Sequence, residues 1–459
     1  MLDSMRNSVM NRRRFLTSSA LTVGSIAGAG TLLQACNTSS TPTTTTSSGG
    51  ASVTKLTVMY ASGEFTKDYI AEFEKLNPDI KITFIENDPT RLNAMLAAGT
   101  PPDFVRGSAV GSANGNARGL ALNLDPYLAK STVLKKEDLL GINDSFRWDG
   151  TKSGSGPYYG IAKDWSQDAT LWYNGALFDK AGIPHLSATD PISYDQLLEI
   201  SKKLTTKQGN TTQVYGFGVE WAWNLWAPIA TMLLQQGGSM YNADLTQTDM
   251  TTPEAKKAIQ WYVDFAQAGV GPTSLNPLPD GSDESTFAAN RMAISQDGFW
   301  YGGNFVKSST DFQTAVRMAP APIMGSKRVS PSYAGQGAWI PAASKNKDAA
   351  WKLMEYFMTG TPAHDRAKSG WGLPSLKSLM SEVPQDLPYQ KAAYQTTQNE
   401  LTYVGLLPDS PYVTVASWNT ILDKYIQQAI KKQITVDAAS QQITTEVNAA
   451  LKQGKQQLS

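Results

Sequence analysis

Polar and apolar positions alternate through residues 55–60 (KLTVMY) and again through residues 80–85 (IKITFI), which is the two-residue period of a half-buried strand. Between them Phe65, Tyr69, Phe73 and Leu76 recur at the spacing of a helix face, and Asn77-Pro78-Asp79 stops that helix. Asp88-Pro89 offers a cap and a first-turn proline for a second helix, predicted to bury Leu92, Met95 and Leu96 and to end at Gly99. Residues 101–105 read as a third short strand. This β-α-β-α-β run implies an α/β fold with a parallel sheet flanked by helices, and a ligand crevice beyond the carboxyl ends of the strands. Ser62, Glu64 and Arg106 fall at those ends and are candidate ligand contacts.

Farther along, Leu171-Trp172-Tyr173 is a β-prone apolar run that Asn174-Gly175 punctuates before a short helix closed by Gly182. Ser193 and Gln196 are spaced as a capping box ahead of Tyr194, Leu197, Leu198, Ser201 and Leu204, the predicted inner face of the next helix. An apolar strand over residues 214–219 empties into Glu220-Trp221-Ala222-Trp223-Asn224-Leu225-Trp226. No regular period puts all three tryptophans on one face, so one or two are assigned to the core and one to ligand. Thr252-Pro253 opens a helix with Ala255, Ile259, Tyr262 and Phe265 inward and Gly269 as its stop. A strand over residues 292–294 leads to Asp297-Gly298-Phe299-Trp300, where Trp300 is expected at the strand end facing the crevice and Phe299 in the core. Gly335-Gln336-Gly337 is a glycine-flanked strand entry suited to absorbing backbone rotation. A helix follows that buries Ala350, Leu353, Met354 and Phe357, then a turn at Trp371-Gly372-Leu373-Pro374, then packing helices around residues 421–430 and 438–451.

The amino terminus carries an address. Arg12-Arg13-Arg14-Phe15-Leu16 precedes an apolar, small-residue run over residues 21–33, which is too short to span a membrane. The arginine pair resembles a twin-arginine export signal, and Leu33-Gln34-Ala35-Cys36 resembles a lipoprotein processing site, in which Cys36 becomes the acylated first residue. Residues 37–52 are nearly all Thr, Ser and Gly and cannot bury enough apolar surface to order, so a tether is expected.

The order Tyr159-Gly160-Ile161-Ala162, Trp172-Tyr173-Asn174, Leu177-Phe178-Asp179-Lys180-Ala181-Gly182-Ile183 and Pro191 to Leu197 resembles the extracellular solute-binding proteins of ABC importers, the group that includes maltose-binding protein. The amino-terminal run, through Phe73, Asn77, Pro78, Ile80, Leu96, Gly99, Pro102 and Asp103, resembles the same family, as does the segment ending in Asp297-Gly298-Phe299-Trp300. Three positions depart: Ala162 stands where the family has proline, Asn290 where it has glycine and Ile294 where it has methionine. The resemblance implies a two-lobed periplasmic-binding-protein fold of type II, each lobe a mostly parallel sheet flanked by helices with the ligand cleft between. The first lobe is expected over residues 55–165 plus 338–385 and the second over 166–337 plus 386–459, with hinge crossings near Trp165 to Asp168 and Gly335 to Gly337. It further implies ligand contacts at Gln167 and Asp168, Glu220 and Trp221, Asp297 and Trp300, Gly335 and Gln336, and Trp371, with Trp300 as a stacking platform.

At 459 residues the chain suits two domains. Its formal charge is zero, and the first 35 residues hold four arginines against one aspartate, so the remainder carries −3, which argues against nucleic acid as a partner. One Cys and two His leave almost no material for a disulfide, a multi-histidine metal site or a His-dependent triad, and no cofactor or metal is expected. Twelve Trp, several beside carboxylates or amides, fit a carbohydrate, which presents hydroxyls and apolar C–H faces together. With this composition, the resemblance implies as partners a mono- or oligosaccharide, ABC permease subunits and, through the lipid, the outer face of the membrane or the periplasmic space, with the protein a monomer. Two other readings stay open: a receptor for a polyamine, peptide or anion, and a glycoside-acting enzyme, although no isolated carboxylate pair marks the latter.

Overall fold

The computed structural model describes residues 53–108, 111–219, 224–278, 283–333 and 335–458. The predicted export signal, Cys36 and the tether lie outside them, as do Glu220, Trp221 and Trp223.

Residues 54 onward form one compact unit. It opens with β1 (Thr54–Tyr60), β2 (Ile80–Glu86) and β3 (Phe104–Ser108), followed by a hairpin of β4 (Arg147–Trp148) and β5 (Ser153–Tyr158) and then by β6 (Ile161–Trp165). Past a short crossing come β7 (Leu171–Asn174), a second hairpin of β8 (Thr206–Gln208) and β9 (Thr211–Val214), then β10 (Gly218–Val219), β11 (Ile294–Gln296) and β12 (Val316–Ala319). The chain returns through β13 (Gln336–Trp339) and β14 (Leu373–Pro374). One sheet has the order β14-β6-β13-β3-β1-β2 and the other β10-β11-β7-β12.

The sheets are mixed rather than mostly parallel. β1 pairs in parallel with β2 and β3, but β13 runs against both β3 and β6, and β14 runs against β6. In the second sheet β7 is antiparallel to β11 and β12. The cause is the route of the chain: β7 and β13 each begin at a crossing and run away from it, whereas β1, β3, β6, β10, β11 and β12 run toward it.

The helix caps resolve as the sequence predicts, whereas the strand expected over residues 214–219 is divided between the end of β9 at Val214 and β10 at Gly218–Val219. Ser193 Oγ accepts from Gln196 N at 3.1 Å while Gln196 Oε1 accepts from Ser193 N at 2.8 Å, and Tyr194, Leu197, Leu198, Ser201 and Leu204 are the residues their helix buries. Asp88 caps the helix Pro89–Ala97 through Thr90 and Arg91 N–H. That helix nevertheless leaves Leu92, Met95 and Leu96 half-buried, because it follows the edge strand β2, where there is less neighbouring surface to cover it. Leu76, the last residue of its helix, points to solvent at 63% exposure.

Two departures from the family pattern have structural explanations. Ala162 donates its backbone N–H to Asn143 Oδ1 at 2.9 Å inside the protein, a bond a proline could not make. Asn290 takes the left-handed conformation (φ +57°) that glycine adopts most freely, and its Oδ1 accepts from Asn174 Nδ2 at 2.6 Å.

Among the described residues, three apolar clusters form the core. One joins the second sheet to the helices Tyr194–Leu204, Pro253–Ala268, Val415–Ile430 and Val436–Leu458. Another joins the first sheet to the helix Lys347–Thr359. The third spans the two sheets, with Phe146, Ala162 and Trp165 meeting Trp172, Phe299 and Tyr389. Asn290→Ala is expected to lower stability by about 1–2 kcal/mol in urea unfolding, since a Cβ without a local hydrogen bond disfavours this backbone. Asn290→Gly should cost less; equal losses in the two variants would place the cost in the lost bond to Asn174 instead.

Candidate functional site

Because strands converge on the crossings from both sheets, the side chains at their ends meet there. The residues of the first crossing turn inward. Gln167 is fully buried and donates to Thr397 O at 3.2 Å. Asp168, 3% exposed, accepts from Ser166 Oγ at 2.7 Å, Ser332 Oγ at 3.2 Å and Tyr333 N at 2.6 Å. Asp297 is fully buried and accepts from Ser295 Oγ at 2.6 Å. All three are thus held inside the junction rather than on an open face: a buried carboxylate must find donors, and those of Asp168 come from two chain segments, whereas Gln167 Oε1 is enclosed and meets no donor among the described residues.

The candidates on the first sheet do gather. Arg106 lies within β3 rather than beyond it, and its Nε and Nη2 reach the Glu64 carboxylate at 3.1 and 2.7 Å. Lys163 of β6, almost wholly buried, stands 3.4 Å from Glu64 Oε2 and also pairs with Asp164. Burial works against ionisation of Glu64, but the charge of Lys163 and the hydrogen bonds and charge of Arg106 outweigh it and hold the carboxyl down at about 2. Arg106 is raised in turn: burial opposes its charge, and the bond to Glu64 prevails. Ser62 is exposed in the turn after β1, its N–H given to Glu86. Gln336 begins β13 opposite Ser108 and Asp164, and its Oε1 is enclosed yet meets no donor among the described residues.

Trp300 is not at a strand end. β11 stops at Gln296, and Trp300 lies in the 3-10 turn Phe299–Phe305, whose Phe299, Tyr301 and Phe305 are buried while Trp300 stays half-buried. Its ring lies 5.5 Å from that of Trp371, inclined at 54°, and Trp371 is 39% exposed on the turn before β14. The two tryptophans therefore form a partly open aromatic pair. Of the tryptophans between residues 221 and 226, Trp226 is buried and is core.

A cavity of about 250 Å³ opens beside Gly335. Its walls come from Ile142, Ser145, Lys152 and Ser153 on one side and from Leu245, Ser332 and the segment Gly405-Leu406-Leu407-Pro408-Asp409 on the other. Of these residues, Gly335 alone is a candidate from the sequence. The Gly- and Pro-punctuated stretch at residues 405–411 was a signal of an irregular segment, but its partners lie about 260 positions away in the chain. Among the described residues, no group of three His, Cys, Asp or Glu is placed to hold a metal.

Residues 59–359 match the family described as bacterial extracellular solute-binding protein. The chain belongs to that family. Among relatives, it is 23% identical over 349 residues to the maltotriose-binding protein of Pyrococcus abyssi (strain GE5 / Orsay), covering 74% of this chain and 69% of that one. Among solved structures, it resembles an ABC substrate-binding protein from Listeria monocytogenes in complex with cycloalternan, with a TM-score of 0.72, 22% identity, and coverage of 87% of this chain and 99% of that one. The sugar-binding protein MalE from Xanthomonas citri gives 0.67, 20%, 88% and 98%. The fold of this solute-binding protein is thus the two-lobed type II periplasmic-binding fold.

In that fold the Glu64–Arg106–Lys163 cluster has a pH signature. With its folded value below the ordinary 4.5, Glu64 stabilises the protein fully above pH 4.5, and that contribution is lost as pH falls toward 2. The carboxylate is 24% exposed, so its share is on the order of 2–3 kcal/mol. Chemical unfolding of Glu64→Gln should show the deficit at pH 7 and converge on the parent near pH 2. A constant difference across that range would place its role outside ionisation.

Proposed function

We propose that this solute-binding protein captures a carbohydrate by closing its two lobes, without catalysing a reaction on it, and delivers it to an ABC permease. The observation that carries the reading is the half-open pair of Trp300 and Trp371 rings, together with ionised groups on the first sheet that already hold one another: Arg106 and Lys163 stand against Glu64 and Asp164. A neutral polyhydroxyl ligand fits such a set, since aromatic faces take its C–H surface and fixed ionised groups take its hydroxyls. A polyamine would want surplus carboxylate, whereas here Arg106, Lys163 and the buried Arg366, which feels both Asp164 and Glu64, outnumber the two carboxylates. Gln336 adds an amide oxygen without a donor among the described residues. The sugars named for the relatives from Pyrococcus and Listeria support the same class.

A melting screen against mono- and oligosaccharides, with the bound sugar recovered and checked for cleavage, tests the reading: stabilisation with intact sugar is expected. Cleaved product would make the protein an enzyme, and stabilisation by polyamines or anions alone would replace the ligand class. A stacked ring supplies on the order of 1–3 kcal/mol, so Trp300→Ala should weaken the sugar roughly 5- to 150-fold. A parent-like affinity would remove Trp300 from the site.

We further propose that the protein leaves the cytoplasm folded, by the twin-arginine route, and is held to the membrane by lipid on Cys36, because that Cys closes the apolar run after Leu33-Gln34-Ala35. Cys36→Ser should release the protein from the membrane fraction on salt washing; retention of the variant would refute the anchor.

A further inference from the structure

We infer that Asp409 is a positioning residue for solute capture: its carboxylate clamps the start of the short helix Ser112–Ala117, carried by the first lobe, to the segment at residues 404–413 carried by the second. Asp409 Oδ2 accepts from Gly111 N at 3.1 Å and from Ala113 N at 2.9 Å, and one residue pair farther on Asn114 Nδ2 donates to Pro411 O at 2.6 Å. Each side of the clamp is fixed to its own lobe. The helix is tied by Ser112 Oγ to Ser145 O at 3.1 Å, and the chain after it by Ala342 N to Leu120 O at 2.8 Å. The opposing segment is tied by Ser410 Oγ to Leu245 O at 2.9 Å and by Leu407 and Val413, which are buried in the second lobe's core. Asp409 and Ser145 also line the 250 Å³ cavity, so the clamp and the cavity share a wall and form or open together.

The clamp is sensitive to protonation. Asp409 keeps part of its surface on the cavity, yet protein closes around its carboxyl, and burial pushes it up to about 6 against the lowering effect of the N–H bonds from Ala113, Gly111 and Ser410. Among the described residues, the titratable groups that face it are Tyr241, from the second lobe, which feels its charge, and Lys152, from the β4–β5 hairpin of the first. A protonated carboxyl still accepts both N–H bonds through its carbonyl oxygen. Released into solvent, the group returns toward its ordinary 3.8. The clamped form therefore takes up a proton that the released form does not, between about pH 6 and 4, and clamping strengthens as pH falls through that window, by roughly tenfold from pH 7.5 to 5.

This inference rests on the proposed lobe closure, but its test needs no known ligand. Amide hydrogen exchange of residues 111–117 in the full ligand-free chain, corrected for the intrinsic effect of pH, should show protection about tenfold higher at pH 5 than at pH 7.5. Asp409→Asn, a neutral acceptor of the same shape, should hold protection that does not vary with pH, and Asp409→Ala should lose it at both values. Protection independent of pH in the parent, or undiminished in Asp409→Ala, overturns the clamp. With maltotriose as the calorimetric probe, the parent should bind several-fold more tightly at pH 5 and Asp409→Asn equally at both; a parent affinity indifferent to pH counts against the inference. Should maltotriose fail to bind while the exchange pattern holds, the choice of ligand is wrong and the clamp stands.

Discussion

The carboxylate of Asp168, withdrawn from water between the two sheets, is the group on which the architecture depends. Burying an ion is costly unless its acceptor sites are filled, and Ser166, Ser332 and the Tyr333 N–H fill them from two separate passages of the chain. Next to it Gln167 reaches Thr397 on a third passage, and Thr170 Oγ1 gives its proton to Asp297 O. Glycine at 298 is required by the same knot, since a Cβ there would lie 2.0 Å from Ser166 Oγ and 2.5 Å from Asp168 Oδ1. Motion of one lobe against the other that preserves these bonds is a rotation about this point, because a shear would pull donors from a buried charge.

The knot also dictates where chemistry gathers. Chain that leaves it must run outward and chain that approaches must run inward, so strands of both sheets end or begin beside it whatever their pairing. That is why a mixed sheet still delivers Arg106, Lys163, Asp164 and Gln336 to one edge, as a fully parallel sheet would have done. Glu64 joins them from the turn after β1, and the two cations meet it before any ligand does.

Much of this was legible one segment at a time. Helix caps, inward faces and the two-residue period of the first strands depend on neighbours within a few positions: Asp88 and Ser193 cap their helices where the sequence put caps, and Asn174, read from the sequence only as punctuation, caps a third. Strand direction in the second sheet was not legible, since it follows from the crossings rather than from any local period. Nor was the cavity wall, where Lys152 and Asp409 meet from segments with no pattern that pairs them.

Adjacency of a carboxylate and an aromatic residue proved a poor guide to exposure, and the reason is energetic. Asp168 and Asp297 occur beside Gln, Gly and Trp as a ligand site would have them, but their hydroxyl and amide donors are equally what a buried junction must supply. A sequence lists acceptors and donors without saying whether they satisfy each other. What separates the two cases is whether a group is satisfied by protein alone. Asp168 takes donors from Ser166, Ser332 and Tyr333 within a closed core, whereas the Trp300 and Trp371 rings keep open faces, and Glu64, though paired, remains 24% exposed. Recognition needs surface that folding has left partly unspent, and the proposed reading puts it on Trp300, Trp371 and Glu64, which the fold holds in place but leaves partly open.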